Sequence, residues 1–560
     1  MLTLLLASAA AMPAPAMGEF IDRSYFRTCD GYTEPTGKVD GMTKATRFWG
    51  LAAATSDIRR SKAVKIGPNG AKACERALAD PILLPDYWLR RVNLLQANAL
   101  HTFAAGDAAA ALRNLDEADR IGAVQKIGTF DQSLGVGNLA IRAFISGEQG
   151  DANAARTAAA RMVALRPWST TTIRLAAALV DRLETPDIAE QNARARLKFL
   201  PGSAMALAIT LFERGRYQEA LDVAAIVDFA LPKMRGNWYV EGAEDRDVEI
   251  IRRRAAIEGM RAYAASATGN PALAAKLLAS ARAELDAADT PPQPQADGSP
   301  PKKSAVRDYN RRLPFIASGR AEIAKWDAAI VFAARVPTMP ADAVFGEFTK
   351  GGFNDLGIAP DILRRIAVAD AVAAAQRDRT LNEVVAQVIK RQRAREALSA
   401  SDLAALLPRA ETPKMVPVMK PAGDGYFLSD TGLSRARSKD GDDVWTIRFT
   451  HPVASIETVE EMAMMGAAQT AIDQKKEGFV LLASRSFART IHVSNSYYAT
   501  VLSEYDENAG YEAQLRVQFV DGAALPPELA DMGWRVIKAA DVISSLSSKY
   551  RQSGGVTVAR

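Results

Sequence analysis

The sequence predicts a mostly α-helical chain, a degenerate helical solenoid followed by a small α+β domain built from an antiparallel sheet and two helices. Three observations carry this expectation. Alanine supplies much of the 48% apolar content while aromatics reach only 7%, a balance that suits closely packed helices. A triplet of small residues recurs through the N-terminal half at one fixed spacing. Beyond Pro413 the helical period gives way to the two-residue alternation of strands.

At 560 residues the chain exceeds one ordinary core, which suits several domains or a long solenoid. Lys and Arg total 70 against 65 Asp and Glu, and a net charge of +5 over this length is too dilute to point to nucleic acid. The densest basic run, Lys390, Arg391, Arg393 and Arg395, falls in a helical-looking segment from Leu381 to Leu398. It reads as a solvated face, with anionic lipid and a peripheral envelope association as the alternative.

The N-terminus has an apolar stretch from Leu2 to Ala11, then Pro13, with Ala14 and Ala16 in A-x-A spacing. This reads as a signal peptide over residues 1–16, cleaved after Ala16. No Lys or Arg precedes the stretch, as a shortened start site would produce, and a buried N-terminal helix is the alternative reading. No segment offers the roughly 18 uninterrupted apolar residues of a membrane span, so we expect a periplasmic or exported protein without one.

The two cysteines, Cys29 and Cys74, lie in an irregular entry segment over residues 17–84. In an oxidising compartment they can pair, and the closed loop would contribute roughly 3 to 4 kcal/mol. Two free thiols are the alternative.

Where two helices cross closely, both need small residues, and a glycine often makes the turn between them. Gly106, Gly150, Gly215 and Gly269 each have an alanine seven residues before (Ala99, Ala143, Ala208, Ala262) and another five after (Ala111, Ala155, Ala220, Ala274). Pro167 and Pro232 follow Gly150 and Gly215 at the same distance, where a second helix should end. A fifth unit appears between Pro167 and Pro201, with Ala177 and Ala189 around Glu184 in place of the glycine. Segments such as "EQGDANAARTAAARMVALRP" and "ERGRYQEALDVAAIVDFALP" resemble the tetratricopeptide repeat over roughly residues 85–290. The period is uneven, and the large aromatics expected in the first helices are mostly absent.

Such a resemblance implies a groove, lined by successive helices, that binds a peptide or protein partner. Arg142, Ser146, Arg174 and Glu213 fall at polar or edge positions of the first helices and are the candidate groove residues, with solvated surface as the plainer reading. The tract "PPQPQADGSPPKK", within a linker or loop over residues 291–305, cannot build a core. Further helices are expected over residues 306–412.

The last domain, residues 413–550, shows alternation at Val444 to Phe449, Phe479 to Ala483, Thr490 to Val493, Tyr497 to Glu504 and Glu512 to Val520. A helix "ASIETVEEMAMMGAAQTAIDQKKEG", closed by Gly478, separates the first two, and "RVIKAADVISSLSSKYR" reads as a final helix. A flexible tail over residues 551–560 should follow. The stretches "MAMMGAAQTAIDQKKEGFVLLASRS" and "VIKAADVISSL" are similar to a domain of small uncharacterised bacterial envelope lipoproteins. That likeness implies an envelope location and transfers no catalytic residue, and the lipid-bearing cysteine of that family has no counterpart here.

Chemistry is thinly marked. His101, His451 and His492 share no metal-site spacing, so neither a metal nor a cofactor is expected. "GLSRA" around Ser434 lacks the second glycine of a nucleophile elbow, and Gly135 to Ala140 reads as a helix start rather than a dinucleotide loop. The adjacent carboxylates Glu460 and Glu461 should point different ways. The leading expectation is a non-catalytic envelope scaffold or adaptor that binds a protein or peptide. An envelope lipid- or glycan-binding protein is the alternative, and a hydrolase built around His451, His492 or Ser484 and Arg485 is the remaining one.

Overall fold

The computed structural model describes residues 22–35, 64–228, 243–367, 371–411, 415–422, 431–438, 443–497, 500–522, 525 and 527–550. The expected signal peptide, the tail and Pro232 lie outside them.

Helices α1 (Tyr25–Asp30) and α2 (Pro68–Ala79) form the entry. The disulfide between Cys29 and Cys74 ties them together, with both sulfurs buried. His101 strengthens the same closure. Its Nδ1 accepts from the Gly67 amide at 3.1 Å, which leaves Nε2–H to donate to the Cys29 carbonyl at 2.7 Å. Burial holds this imidazole below its ordinary pKa, consistent with the neutral tautomer these bonds require.

Helix pairs follow: α3 (Trp88–Ala104) and α4 (Ala108–Gln125), then a short α5 (Gly128–Gln132), then α6 (Leu134–Glu148) and α7 (Ala152–Leu165). Next come α8 (Thr170–Val180) and α9 (Pro186–Arg196), which are joined through a short 3-10 turn, then the pairs α10 (Ala204–Glu213) with α11 (Tyr217–Ala224) and α12 (Ala243–Ala267) with α13 (Pro271–Ala288). The four expected turn glycines are all left-handed, with φ of 92, 83, 75 and 82° at Gly106, Gly150, Gly215 and Gly269. An L side chain tolerates that region poorly, and glycine does not. The residue after three of these glycines caps the next helix: Asp107, Asp151 and Asn270 accept from the Ala110, Ala154 and Leu273 amides at 2.8, 2.9 and 3.0 Å. All eight flanking alanines are buried where the paired helices cross. The fifth unit turns differently. Glu184 is extended rather than left-handed, and α9 starts at Pro186 under a Thr185 cap.

Beyond an exposed connector through the Pro-rich tract come α14 (Lys303–Arg335), α15 (Ala341–Lys350), α16 (Ala359–Arg365), α17 (Ala371–Glu396) and α18 (Ala400–Leu406). One core joins α10, α11, α12, α14 and α16. At its centre Phe212, Tyr217, Tyr263 and Trp326 meet with ring centroids 5.1–6.1 Å apart.

The last domain is a sheet of β1 (Gly432–Arg437), β2 (Val444–His451), β3 (Gly478–Tyr497), β4 (Thr500–Val520) and β5 (Ile537–Lys538), in the order β1-β2-β4-β3-β5 and antiparallel throughout. Helices α19 (Ile456–Asp473) and α20 (Ala539–Leu546) cover one face, burying Ile447, Phe449, Leu481, Leu515, Val517 and Phe519. The separate strands expected at Phe479 to Ala483 and Thr490 to Val493 are one strand. Register shifts between Leu481 and Ala483 and between Ala488 and Thr490 move the alternation by one residue, which a two-residue period reads as an end. Likewise the expected strand from Tyr497 to Glu504 straddles the end of β3 and the start of β4. Gly478 does not close α19. That helix ends at Asp473 with Lys475 left-handed at φ 57°, and Gly478 opens β3, where a Cβ would lie 2.3 Å from the Ile537 carbonyl oxygen. The final helix is also shorter than expected, because Ile537 and Lys538 pair with β3 before α20 begins.

Candidate interaction surface

The first helices of the pairs adjoin one another, α3 against α6 and α6 against α8, with α10 further on against α12. The four candidate groove residues do not share one open face. Arg142 turns back to α4, donating to Asp116 and Asp119 at 2.8 and 2.9 Å. Ser146 is half-buried, and its carbonyl accepts from the Asp151 amide in the hairpin turn. Arg174 is exposed on α8. Glu213 is engaged by the chain itself, accepting from Gln392 Nε2 of α17 at 3.2 Å.

That last contact belongs to a larger arrangement. Residues 371–411 run back along the first helices in the reverse of the array's order. Arg214 donates to Gln392 at 3.2 Å, and Arg393 donates to the Glu184 carbonyl at 2.9 Å. Further on, Leu403 and Ala404 of α18 pack into the core that holds Ala99, Leu100, Val136 and Leu139. The Glu411 amide then reaches Ser133 Oγ at 3.3 Å. The surface a peptide partner would use is therefore largely covered in cis. Of the basic run on α17, Lys390, Arg391 and Arg393 are exposed.

The covering segment ends in a buried ionic junction with the α+β domain. Arg166, fully buried, donates to Glu411 at 2.7 Å, Glu461 at 3.0 Å, Thr458 at 2.9 Å and the Gln132 carbonyl at 2.7 Å. Burial opposes the charge on both Arg166 and Glu411, yet their attraction wins. The guanidinium is pushed above its ordinary range and the carboxyl held below its own. Glu460 turns the other way, as expected of an adjacent helical residue. It accepts from Ser169 Oγ, Thr170 Oγ1, Thr171 Oγ1 and the Thr171 amide at 2.7–2.9 Å, and so caps α8 from another domain. Lys549 adds a bond to the Leu165 carbonyl at 2.7 Å. Sequence reasoning missed this cluster, whose one local signal is the run from Ser169 to Thr172 before an apolar helix.

Of the hydrolase candidates, His451 stands on β2 and His492 on β3, with β4 between them, and Ser484 and Arg485 lie on β3 opposite Leu515 and Gln514. His451 faces Tyr511 across the sheet and His492 faces Asp506, five positions apart along β4 and on opposite sides of it. His451 is half-buried, and its Nδ1 accepts from the Ala454 amide at 3.0 Å. Ser434 stands on edge strand β1, and Arg485 is bound to Gln514 at 3.1 Å. Among the described residues no His, Cys, Asp and Glu cluster is arranged to hold a metal ion, and no helix is long and apolar enough to cross a membrane.

An open groove of about 970 Å³ lies elsewhere, between α13, α14 and α15. Its floor is Ile323, Phe332 and Phe353, and along one wall Ala324, Ala328 and Val331 are exposed at helical spacing, Val331 by 57%. Ion pairs rim it: Arg282 with Asp327 at 2.5 Å, Arg320 with Asp286 at 2.8 Å, and Arg335 with Glu347 at 3.1 Å. Lys350 adds a cation with no partner among the described residues. A second cavity, behind the disulfide, holds about 90 Å³.

Comparison with protein-family models, curated proteins and solved structures finds no match to this chain.

Proposed function

We propose that this chain is an exported, non-catalytic adaptor of the bacterial envelope, with a tetratricopeptide-like array as its body and the groove between α13, α14 and α15 as a docking surface for a protein partner. The open groove carries the reading. It combines an exposed aliphatic stripe, Ala324, Ala328 and Val331, with a rim whose arginines are already neutralised in cis. Such a surface suits the apolar side of a partner helix, with an acidic group to meet Lys350. The disulfide and the apolar N-terminus support an oxidising location. A lipid or glycan ligand, the alternative, would have to use the same groove, whose rim arginines are already held in ion pairs, because the cavity behind the disulfide is far smaller than such ligands need.

Photo-crosslinking from position 331 in the envelope tests this. A discrete crosslinked protein, lost when Ala328→Asp is added without a change in melting temperature, is the expected result. Crosslinking unaffected by Ala328→Asp, or no protein adduct at all, would rule the groove out.

A further inference from the structure

The segment covering the first helices is not uniform. In α18, Leu403 and Ala404 are buried in a shared core. In α17, 26 residues long, Val388 is the one buried side chain among those described. Leu381 and Val384 are half-buried against the core beneath, and Gln392 completes the stripe at spacings of three, four and four residues. The opposite side carries exposed charge at Arg379, Glu383 and Lys390. This is an amphipathic helix laid on a finished surface, the geometry by which helices dock in grooves between separate proteins. Its polar end is read specifically, because the Gln392 amide donates to Glu213 and accepts from Arg214, both at 3.2 Å.

We propose that α17 is a displaceable occupant of this surface, and that the surface takes a partner's amphipathic helix of the same chemistry: aliphatic residues at i, i+3 and i+7 and an amide at i+11. The inference is independent of the groove beside α14. The helix blocks its own binding surface until a competing helix replaces it, while α18 and the Arg166 junction hold the rest of the chain in place. Burial separates the two roles: an element that contributes little to the core comes away at little cost.

The test uses the full chain with specific protease sites inserted between Val368 and Ala369 and between Glu396 and Ala397. After cleavage, the α17 peptide should be lost on gel filtration at micromolar concentration. The cut chain should then bind a fluorescein-labelled synthetic peptide of residues 371–396, at least tenfold more tightly than the uncut chain does. The same peptide carrying Leu381→Asp and Val388→Asp should not bind. A cut chain that retains α17 through dialysis, loses its helical circular dichroism when α17 leaves, or ignores the labelled peptide would show a fixed structural strut and overturn the proposal. Hydrogen exchange on the uncut chain gives a second reading. The α17 amides should exchange at least tenfold faster than those of α10, and equal protection would also overturn it.

Discussion

Arg166 and Glu411 stand 245 positions apart in the chain and meet at 2.7 Å, with side-chain exposures of 0% and 1%. The same guanidinium holds Glu461 at 3.0 Å, so one buried cation joins a turn of the helical array, the end of the returning segment and the α+β domain. A buried ion pair adds little net stability over an apolar replacement, but removing one partner strands the other in a medium that cannot solvate it. Arg166→Met should therefore destabilise the chain by about 3–5 kcal/mol in urea unfolding. Adding Glu411→Gln and Glu461→Gln to Arg166→Met should recover much of the loss. If the triple variant is as unstable as the single one, packing rather than charge sets the cost.

The Glu460 cap across domains makes a separate prediction. Glu460→Ala removes the acceptor for four donors at the start of α8 and should cost about 1.5–3 kcal/mol, the range for a hydrogen bond to a charged group. A double-mutant cycle with Thr171→Ala should show coupling of about 1 kcal/mol or more. Additive losses would mean that the two residues act apart.

Two groups near this junction, Glu457 buried and His451 half-buried, give pH effects of opposite sign. Burial pushes the Glu457 carboxyl up to about 7, with Arg166 opposing, so the folded chain keeps a proton that the unfolded chain releases near 4.5. Stability from this group therefore falls as pH rises between those values, on the order of 3 kcal/mol in total. Burial, then the Lys420 charge, holds His451 down at about 4, so the folded chain refuses a proton that the unfolded chain takes near 6.5. Stability from this group rises with pH across that window. In the wild type the two should offset one another between pH 4.5 and 6.5. Across that range the melting temperature should climb with pH in Glu457→Gln and fall with pH in His451→Asn. Profiles parallel to the wild type in both variants would remove these groups as the cause.

What the sequence made legible follows from the range of each interaction. A helical hairpin is local, and the spacing of alanine, glycine and alanine placed the four turns because the turn and both crossing residues lie within 13 positions. The strand boundaries failed where bulges in β3 shifted the alternation, a change set by the partner strand rather than by β3 itself. The groove residues failed for a longer-range reason. Nothing near Glu213 announces that Gln392 will bind it, 179 positions on. The exposed stripe on α14 escaped notice because alanines at helical spacing read as core.

The hairpin glycines provide the last prediction, in which conformation and contact can be separated. A Cβ at Gly106, Gly150 or Gly269 would meet nothing within 4 Å, so substitution there is opposed only by the left-handed backbone. Gly150→Ala should cost about 1–2 kcal/mol, and Gly150→Asn less, because asparagine visits this region more readily. At Gly215 a Cβ would lie 2.2 Å from the Arg364 guanidinium, whose Nη1 donates to the Gly215 carbonyl at 3.1 Å, so Gly215→Ala should cost more than Gly150→Ala. Glu184 occupies the turn position in the fifth unit at φ −86°, where glycine has no advantage, and its carboxylate holds Arg156 at 2.5 Å. Glu184→Gly should therefore destabilise the chain despite matching the pattern of the other turns. Thermal melts of the four variants read out the order, and a stabilising Glu184→Gly would mean that this turn shares the left-handed geometry of the rest.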